Sequence, residues 1–186
     1  MSESVTLPVL PVDDAVVLPG MVVPVDLSDG EVRAAVEAAR AVADGQDDAV
    51  AGGPTAVKPR VLLVTRMEAR GDGDDGEGRT WTAVGTLGVI EQEGRLPTGE
   101  RTAIVRAVSR IRIGAGRTGP GDALWVEGFK IREPAPGPAA EELAQEYKAL
   151  VAAILQKRGA WQLIDIVQQV EDPSTLADQA GYAPYL

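Results

Sequence analysis

Histidine and cysteine are both absent from this chain, and the two absences remove much of enzymology before any motif is read. Without histidine the commonest general base is gone, along with the usual partner of a nucleophilic serine and the commonest metal ligand. Without cysteine there is no disulfide framework and no thiolate chemistry, which fits a reducing compartment. Zinc would have to be held by carboxylates alone, a poor donor set for that ion. Aromatics are scarce at 4%, so the core must be aliphatic. No apolar run approaches the roughly 20 residues that span a bilayer, and the N-terminal MSESVT has neither the basic nor the apolar region of a secretory signal. A membrane partner is therefore not expected, and the expected location is cytoplasmic. Lysine and arginine number 18 against 28 acids, a net charge of -10, which opposes a phosphate backbone as partner. No nucleic-acid partner is expected.

What is present supports a folded chain. With 45% hydrophobic residues over 186 positions there is enough for a core, in one domain or one domain with an appendage. Leu7–Val25, reading LPVLPVDDAVVLPGMVVPV, organises the rest. Prolines 8, 11, 19 and 24 each remove a backbone donor and fix φ, and they push their predecessors to extended conformations. Helix is thereby excluded, and the density of valine favours strands. The stretch predicts irregular strands folded about a tight turn with Pro19 and Gly20 at its centre. Ser28-Asp29-Gly30-Glu31 matches a capping box with Ser28 as N-cap, so an Ala-rich helix is predicted over 29–43, ended by Gly45. Its face of small residues should let it lie close against a sheet.

Further strands are predicted at 61–65, a continuous apolar run covered on both faces, then at 81–93, 101–107, 109–113 and 124–131. Leu96-Pro97-Thr98-Gly99 is the hairpin turn between 93 and 101, and the acidic Gly71–Gly78 segment reads as a mobile loop. Past the stiff Glu133–Pro138 linker the pattern becomes helical. Leu143, Tyr147, Leu150, Val151 and Ile154 repeat at helical spacing, a second helix is expected over 160–170, and Asp172-Pro173 reads as N-cap and first residue of a third. The fold class is α+β, with a β-rich unit followed by a small helical unit. Three short helices bury little alone, so this unit is expected to pack on the β unit or on protein beyond Leu186, as in a truncated chain.

Catalytic readings fail one by one. Gly71–Gly76 and Gly114–Gly119 both spell G-x-G-x-x-G, but neither opens a helix that could meet a pyrophosphate. A calcium loop starting at Asp72 would need an oxygen ligand at Gly76 and a bidentate glutamate at Ala83. A Ser–Lys dyad needs no histidine, yet Ser109 sits among arginines with no glycine-rich elbow, Ser28 and Ser174 are wanted at helix starts, and Ser2 and Ser4 lie at the terminus. The pairs Asp13-Asp14 and Glu141-Glu142 suit a turn and a helix start, and no P-loop exists. No cofactor, metal or catalytic residue is expected. What remains is apolar surface: Met21, Trp81, Leu96 and Pro97 lie near turns and are the candidate contacts for another polypeptide, against the plainer reading that they are ordinary core or hairpin packing.

Leu7–Pro11, Asp14 and Val16–Pro24 resemble the start of the N-terminal domain of Lon proteases, whose pattern is close to LPVLPLRDVVVFPGMVVPL. Val61–Val64 is similar to the family's ILLV strand, Gly85–Ile90 to its GT-x-A-x-I segment and Leu96–Gly99 to its LPDG hairpin. Arg101–Ile113 matches the strand pair that follows, and Asp172–Asp178 its D-P-x-x-L-A-D helix. The resemblance implies a PUA-like β pseudo-barrel with one packed helix over 1–132, followed over 139–186 by the beginning of a helical bundle. It further implies a non-catalytic module that captures unfolded or tagged proteins and helps hold a hexamer's entrance, with ATPase and Ser–Lys protease modules elsewhere in the full protein. As an isolated piece the chain would be a monomer or weak dimer. Asp13 stands where the family often has arginine, and the acidic Asp72–Glu77 segment is an addition. The alternatives are a self-standing adaptor or scaffold with no protease module, or an independent small-molecule enzyme. The acidic charge also leads us to expect basic or neutral apolar segments to be preferred over acidic ones.

Overall fold

The computed structural model describes residues 4–13, 15–47, 57–68, 79–96 and 98–183. These fall into two compact units, Met1–Ile131 and Arg132–Leu186, each taken by itself. The first unit carries strands β1 (Ser4–Asp13) and β2 (Val22–Asp26), helix α1 (Gly30–Asp47), and strands β3 (Arg60–Glu68), β4 (Arg79–Trp81), β5 (Val84–Arg95), β6 (Arg101–Arg117) and β7 (Trp125–Lys130).

The proline-rich opening does form extended chain, but β1 and β2 are not each other's partners. β2 lies on β6, with Val22 opposite Arg106 and Asp26 opposite Thr102. β1 changes neighbour halfway: Ser4–Pro8 run antiparallel to β7, and Val9–Asp13 run parallel to β3. Each half therefore has one ladder among the described pairings, which is how Pro8 and Pro11 are tolerated inside a ten-residue strand. The predicted turn between the strands is present. Met21 N–H donates to the Leu18 carbonyl at 3.2 Å, and Gly20 at φ 88° takes the position that requires a left-handed residue.

The remaining pairings are β7–β6, β6–β5 and β5–β3. With β1–β3 added, the five strands β1, β7, β6, β5 and β3 close into a ring. Period-2 alternation sorts side chains inside and outside it. Leu7 and Val9, Leu62 and Val64, Ile111 and Val126 form one cluster with the partly buried Leu87, so all five ring strands contribute to the interior. The intervening residues Leu10, Val61, Leu63, Ile90 and Val105 face outward, where Val32, Ala35, Val36 and Ala39 of α1 cover them. β3 is thus buried on both faces, as its apolar run predicts, and the small residues of α1 bring its axis close to the sheet. The expected pair of strands at 101–107 and 109–113 is one 17-residue strand, β6, whose register shifts opposite Leu87/Gly88. The extra residue bends the strand without ending it.

Two details of α1 differ from expectation. Asp29, not Ser28, is its N-cap: the Asp29 carboxylate accepts from the N–H groups of Glu31 (2.8 Å) and Val32 (3.0 Å). Ser28 is engaged with Asp26, donating its hydroxyl at 2.6 Å and its N–H at 2.8 Å, which holds the Asp26 carboxyl below its ordinary pKa. The helix also runs through Gly45 to Asp47. A glycine there costs about 1 kcal/mol relative to alanine, too little to end a helix on its own.

The second unit comprises α2 (Pro138–Lys157), α3 (Gln162–Gln168) and α4 (Pro173–Ala180). Its core is Val151, Leu155, Val167 and Leu176, flanked by Tyr147, Leu163 and Ile164. The predicted stripe on α2 is only partly used. Val151 is buried, whereas Leu143 and Leu150 are 65% and 66% exposed; the helix turns Lys148, Val151 and Leu155 inward. Buried Lys148 donates to the Gln168 carbonyl at 3.2 Å. The break after α2 is a Schellman-type stop, with Gly159 at φ 71° and Ala160 N–H on the Leu155 carbonyl at 2.9 Å.

Asp172 caps α4 as its sequence predicts, accepting from Thr175 N–H at 2.8 Å and Thr175 Oγ1 at 2.7 Å. These bonds lower its carboxyl pKa. A depressed folded-state pKa stabilises above the unfolded value, near 3.9, and that stabilisation is lost as pH falls through the folded value. Asp172→Ala is expected to cost about 1 kcal/mol at neutral pH. Asp172→Asn should keep the cap but remove this group's part of the acid-induced loss, read as a flatter stability profile below pH 5 in urea titrations.

Candidate functional site

Of the four residues singled out by sequence, the three that the structure describes do not converge. Met21 is half-buried against the α1-side core, and its sulfur accepts the Leu18 N–H at 3.2 Å. Trp81 is half-buried at the end of β4, packed against the ring interior. Leu96 is 47% exposed at the β5–β6 hairpin, where its N–H and carbonyl bond Glu100 and Gly99. Pro97 lies outside the described residues, as do the acidic Gly71–Gly78 segment, Tyr185 and Leu186. Core or hairpin packing accounts for much of Met21 and Trp81, and Leu96 offers free apolar surface.

Two hollows flank the β4–β5 corner. One, of about 190 Å³, is lined by Trp81 and Leu124 together with Glu31 and Asp122. The other, of about 360 Å³, lies between the 16–18 segment and the start of β5, with Arg110 beside it. Val16 and Val84 on its walls are 66% and 43% exposed. Strand chemistry fixes this hollow. Thr86, buried in β5, donates its hydroxyl to the Val17 carbonyl at 2.7 Å, and Thr65 of β3 donates to the Ala15 carbonyl at 2.8 Å. These two threonines pin a non-strand segment to the ring. Sequence reasoning missed them, because a threonine in a strand carries no mark of what its hydroxyl reaches.

The same edge is braced by charge. Arg66 of β3 holds Asp13 bidentately, both contacts at 2.7 Å, and reaches Glu31 of α1 at 2.6 Å. The Asp13 hydrogen bond and the nearby acids raise the arginine's pKa further. Asp13, the acid standing where a basic residue was the family expectation, therefore serves an internal contact. Its carboxylate is 59% exposed, so screening keeps the pair's worth to about 1 kcal/mol or less.

In the second unit an apolar groove of about 420 Å³ runs between α2 and α4, its walls entirely Ala, Leu, Pro and Tyr side chains, Leu143, Tyr147 and Leu176 the largest. The chemistry these three features share is contact with apolar groups, which in the α2–α4 groove is unmixed with charge on its walls. Among the described residues no helix is long and apolar enough to cross a membrane, and no three metal-ligating side chains cluster. Among the described residues, the groups with shifted pKa values (Asp26, Arg66, Glu91 and Asp172) are held by turn, cap or ion-pair contacts.

Comparison with known proteins agrees with this reading of the chain. Residues 6–183 match the family model described as the ATP-dependent protease La (LON) substrate-binding domain. The Lon protease of Salinispora arenicola is 49% identical over 97% of this chain, and that of Mycolicibacterium smegmatis is 45% identical over all of it. The chain spans about a fifth of the length of these relatives, 20% and 21% respectively. Among solved structures, the N-terminal domain of the Mycobacterium avium complex Lon protease superposes with a TM-score of 0.74 at 41% identity, covering 97% of this chain and 84% of that one. With 178 of its residues inside the family model, and with the expected strands, hairpin and Asp172-capped helix in their expected order, the chain belongs to the Lon substrate-binding domain family.

Proposed function

We propose that this chain is the substrate-binding module of an ATP-dependent Lon-type protease, taking up unfolded or tagged proteins in the cytoplasm without catalysing any step itself. The family match over residues 6–183 carries the reading. The exposed apolar surface at Val16, Val84, Leu96 and Leu143 supports it, since unfolded polypeptide differs from folded protein chiefly in its accessible apolar side chains. In this reading the closed ring with α1 is a PUA-like pseudo-barrel forming a domain over 1–132, and 139–186 begins a helical bundle. Trp81 and Leu96, with Met21 and Pro97, are its contact candidates in the first domain. ATPase and protease modules, and the hexamer they build, belong to the remainder of the parent protein; a coding sequence containing a P-loop beyond Leu186 would distinguish this from a self-standing adaptor.

The test is an NMR titration of this chain with a reduced, permanently unfolded model protein. Amide shifts are expected at Val16, Val84, Leu96 and the α2–α4 groove, with weak affinity and no turnover of ATP or peptide. Absence of any shift at high substrate concentration, or measurable ATP hydrolysis, overturns the proposal.

A further inference from the structure

The groove between α2 and α4 has a chemistry distinct from the hollows of the first unit. Its walls are apolar, yet the segments that supply them carry charge of one sign only. Residues 133–147 contain Glu133, Glu141, Glu142 and Glu146 and no lysine or arginine; residues 159–183 contain Asp165, Glu171, Asp172 and Asp178 and again none. The second unit's cations lie elsewhere. Lys148 is buried and bound to Gln168, Arg132 precedes the helix, and Lys157 and Arg158 lie ten and eleven positions beyond Tyr147, about 15 Å further along α2. Glu142 and Glu146, both exposed, immediately precede Leu143 and Tyr147 and so run as a parallel row beside the groove wall. The partial positive charge of the α2 N-terminus, about half a unit, is offset by Glu141 in its first turn.

We propose that this groove binds an amphipathic segment of another polypeptide whose apolar face is bordered by lysine or arginine. The inference rests on the substrate-binding reading and adds a place and a charge preference to it. The apolar side chains would seat against Leu143, Tyr147 and Ala177, in the way a short helix lies in a groove, while the flanking cations meet Glu142 and Glu146. A second copy of this chain is the wrong occupant on charge, because groove would meet groove with acid against acid at a net -10 per copy. In the first unit, by contrast, cations stand beside acids, so its surface carries both signs: Arg40 with Glu93, Lys58 and Arg106 with Glu91, Arg66 with Asp13, and Arg117 with Glu127.

Three fluorescent peptides test this, sharing apolar residues at i, i+3, i+4 and i+7 and differing only in flanks of Lys, Gln or Glu. Binding to the full 186-residue chain is read by anisotropy, with NMR shifts locating it. The Lys peptide is expected to bind about tenfold more tightly than the Glu peptide at low salt, the Gln peptide falling between. Raising salt to about 0.5 M should collapse the difference. Leu143→Ser should weaken all three, and Leu150→Ser, equally exposed but off the groove wall, should weaken none. Glu142→Lys with Glu146→Lys should cancel or reverse the Lys preference. Equal binding of Lys and Glu peptides, equal effects of the two leucine variants, or a preference untouched by the charge reversal overturns the inference. So does a dimer in sedimentation that Leu143→Ser dissolves, or a longer piece of the parent protein in which residues beyond Leu186 fill the groove and the Lys peptide no longer binds. If unfolded protein shifts Val16 and Val84 while the Lys peptide leaves the groove unmoved, this inference falls and the substrate-binding reading stands; if neither ligand shifts anything, both fall.

Discussion

Leu62→Ala is expected to destabilise the first unit by about 2–5 kcal/mol, lowering its melting temperature by about 10 °C for a chain of this size. Leu62 is fully inaccessible and points into the ring with Leu7, Val64, Ile111 and Val126. Its loss removes transfer free energy and also leaves a cavity. Collapse onto that cavity is opposed because β3 is laddered to both β1 and β5, so the wall cannot shift inward without breaking hydrogen bonds. Urea unfolding followed through Trp81 and Trp125, which both belong to this unit, is the measurement. A fall in midpoint with an unchanged slope is expected, and a loss below about 1 kcal/mol would contradict the closed-ring packing.

Gly85→Ala is expected to cost about 1–3 kcal/mol, although adding one methyl to a strand glycine ordinarily helps or is neutral. A Cβ at position 85 would sit 2.6 Å from the Leu63 carbonyl oxygen and 3.2 Å from both Leu62 Cδ1 and Val64 Cγ2. The closest of these is backbone in a paired strand, so no rotamer change relieves it. Gly94→Ala is the matched control: the position lies on the same strand and nothing stands within 4 Å of a Cβ there. Calorimetry of the two variants should separate them by several degrees, and equal melting temperatures would show that the ring interior is less filled than the packing indicates.

Local chemistry was legible and pairing was not. Pro19-Gly20 declared its turn because only glycine takes positive φ without cost, and Asp172-Pro173 declared a helix start for similarly local reasons. The apolar run at Val61–Val64 declared burial on both faces. Nothing local states that Ser4–Pro8 adopts β7 while Val9–Asp13 adopts β3, since both halves of β1 are built of the same valine, leucine and proline. Ser28 and Asp29 are both competent caps, and the choice was made by Asp26, which takes the Ser28 hydroxyl for itself. On α2 the apolar side chains cover more than one face of the helix; which leucines are buried depends on where α3 and α4 come to rest. For the candidate site the same division holds. That apolar surface would be the relevant chemistry followed from what the chain lacks. That Trp81, Met21 and Leu96 stand apart, and that an apolar groove lies between α2 and α4, required the packed structure.

The divided loyalty of β1 also governs when this unit can finish folding. Its first half has its partner in β7, with Ser4 opposite Phe129, and its second half in β3, with Val9 opposite Leu62. On a translating ribosome, at about 5–20 residues per second, Ser4–Pro8 waits on the order of ten seconds for the chain that will pair with it. Contacts this distant in sequence are slow to form even in the finished chain, because loop closure must precede any reward. During that interval a ten-residue strand with five valine or leucine side chains stands unpaired along one edge, in the condition that strand-to-strand aggregation exploits. Pro8 and Pro11, awkward inside a ladder, guard the strand for the duration: each deletes a donor that a wrong partner would need.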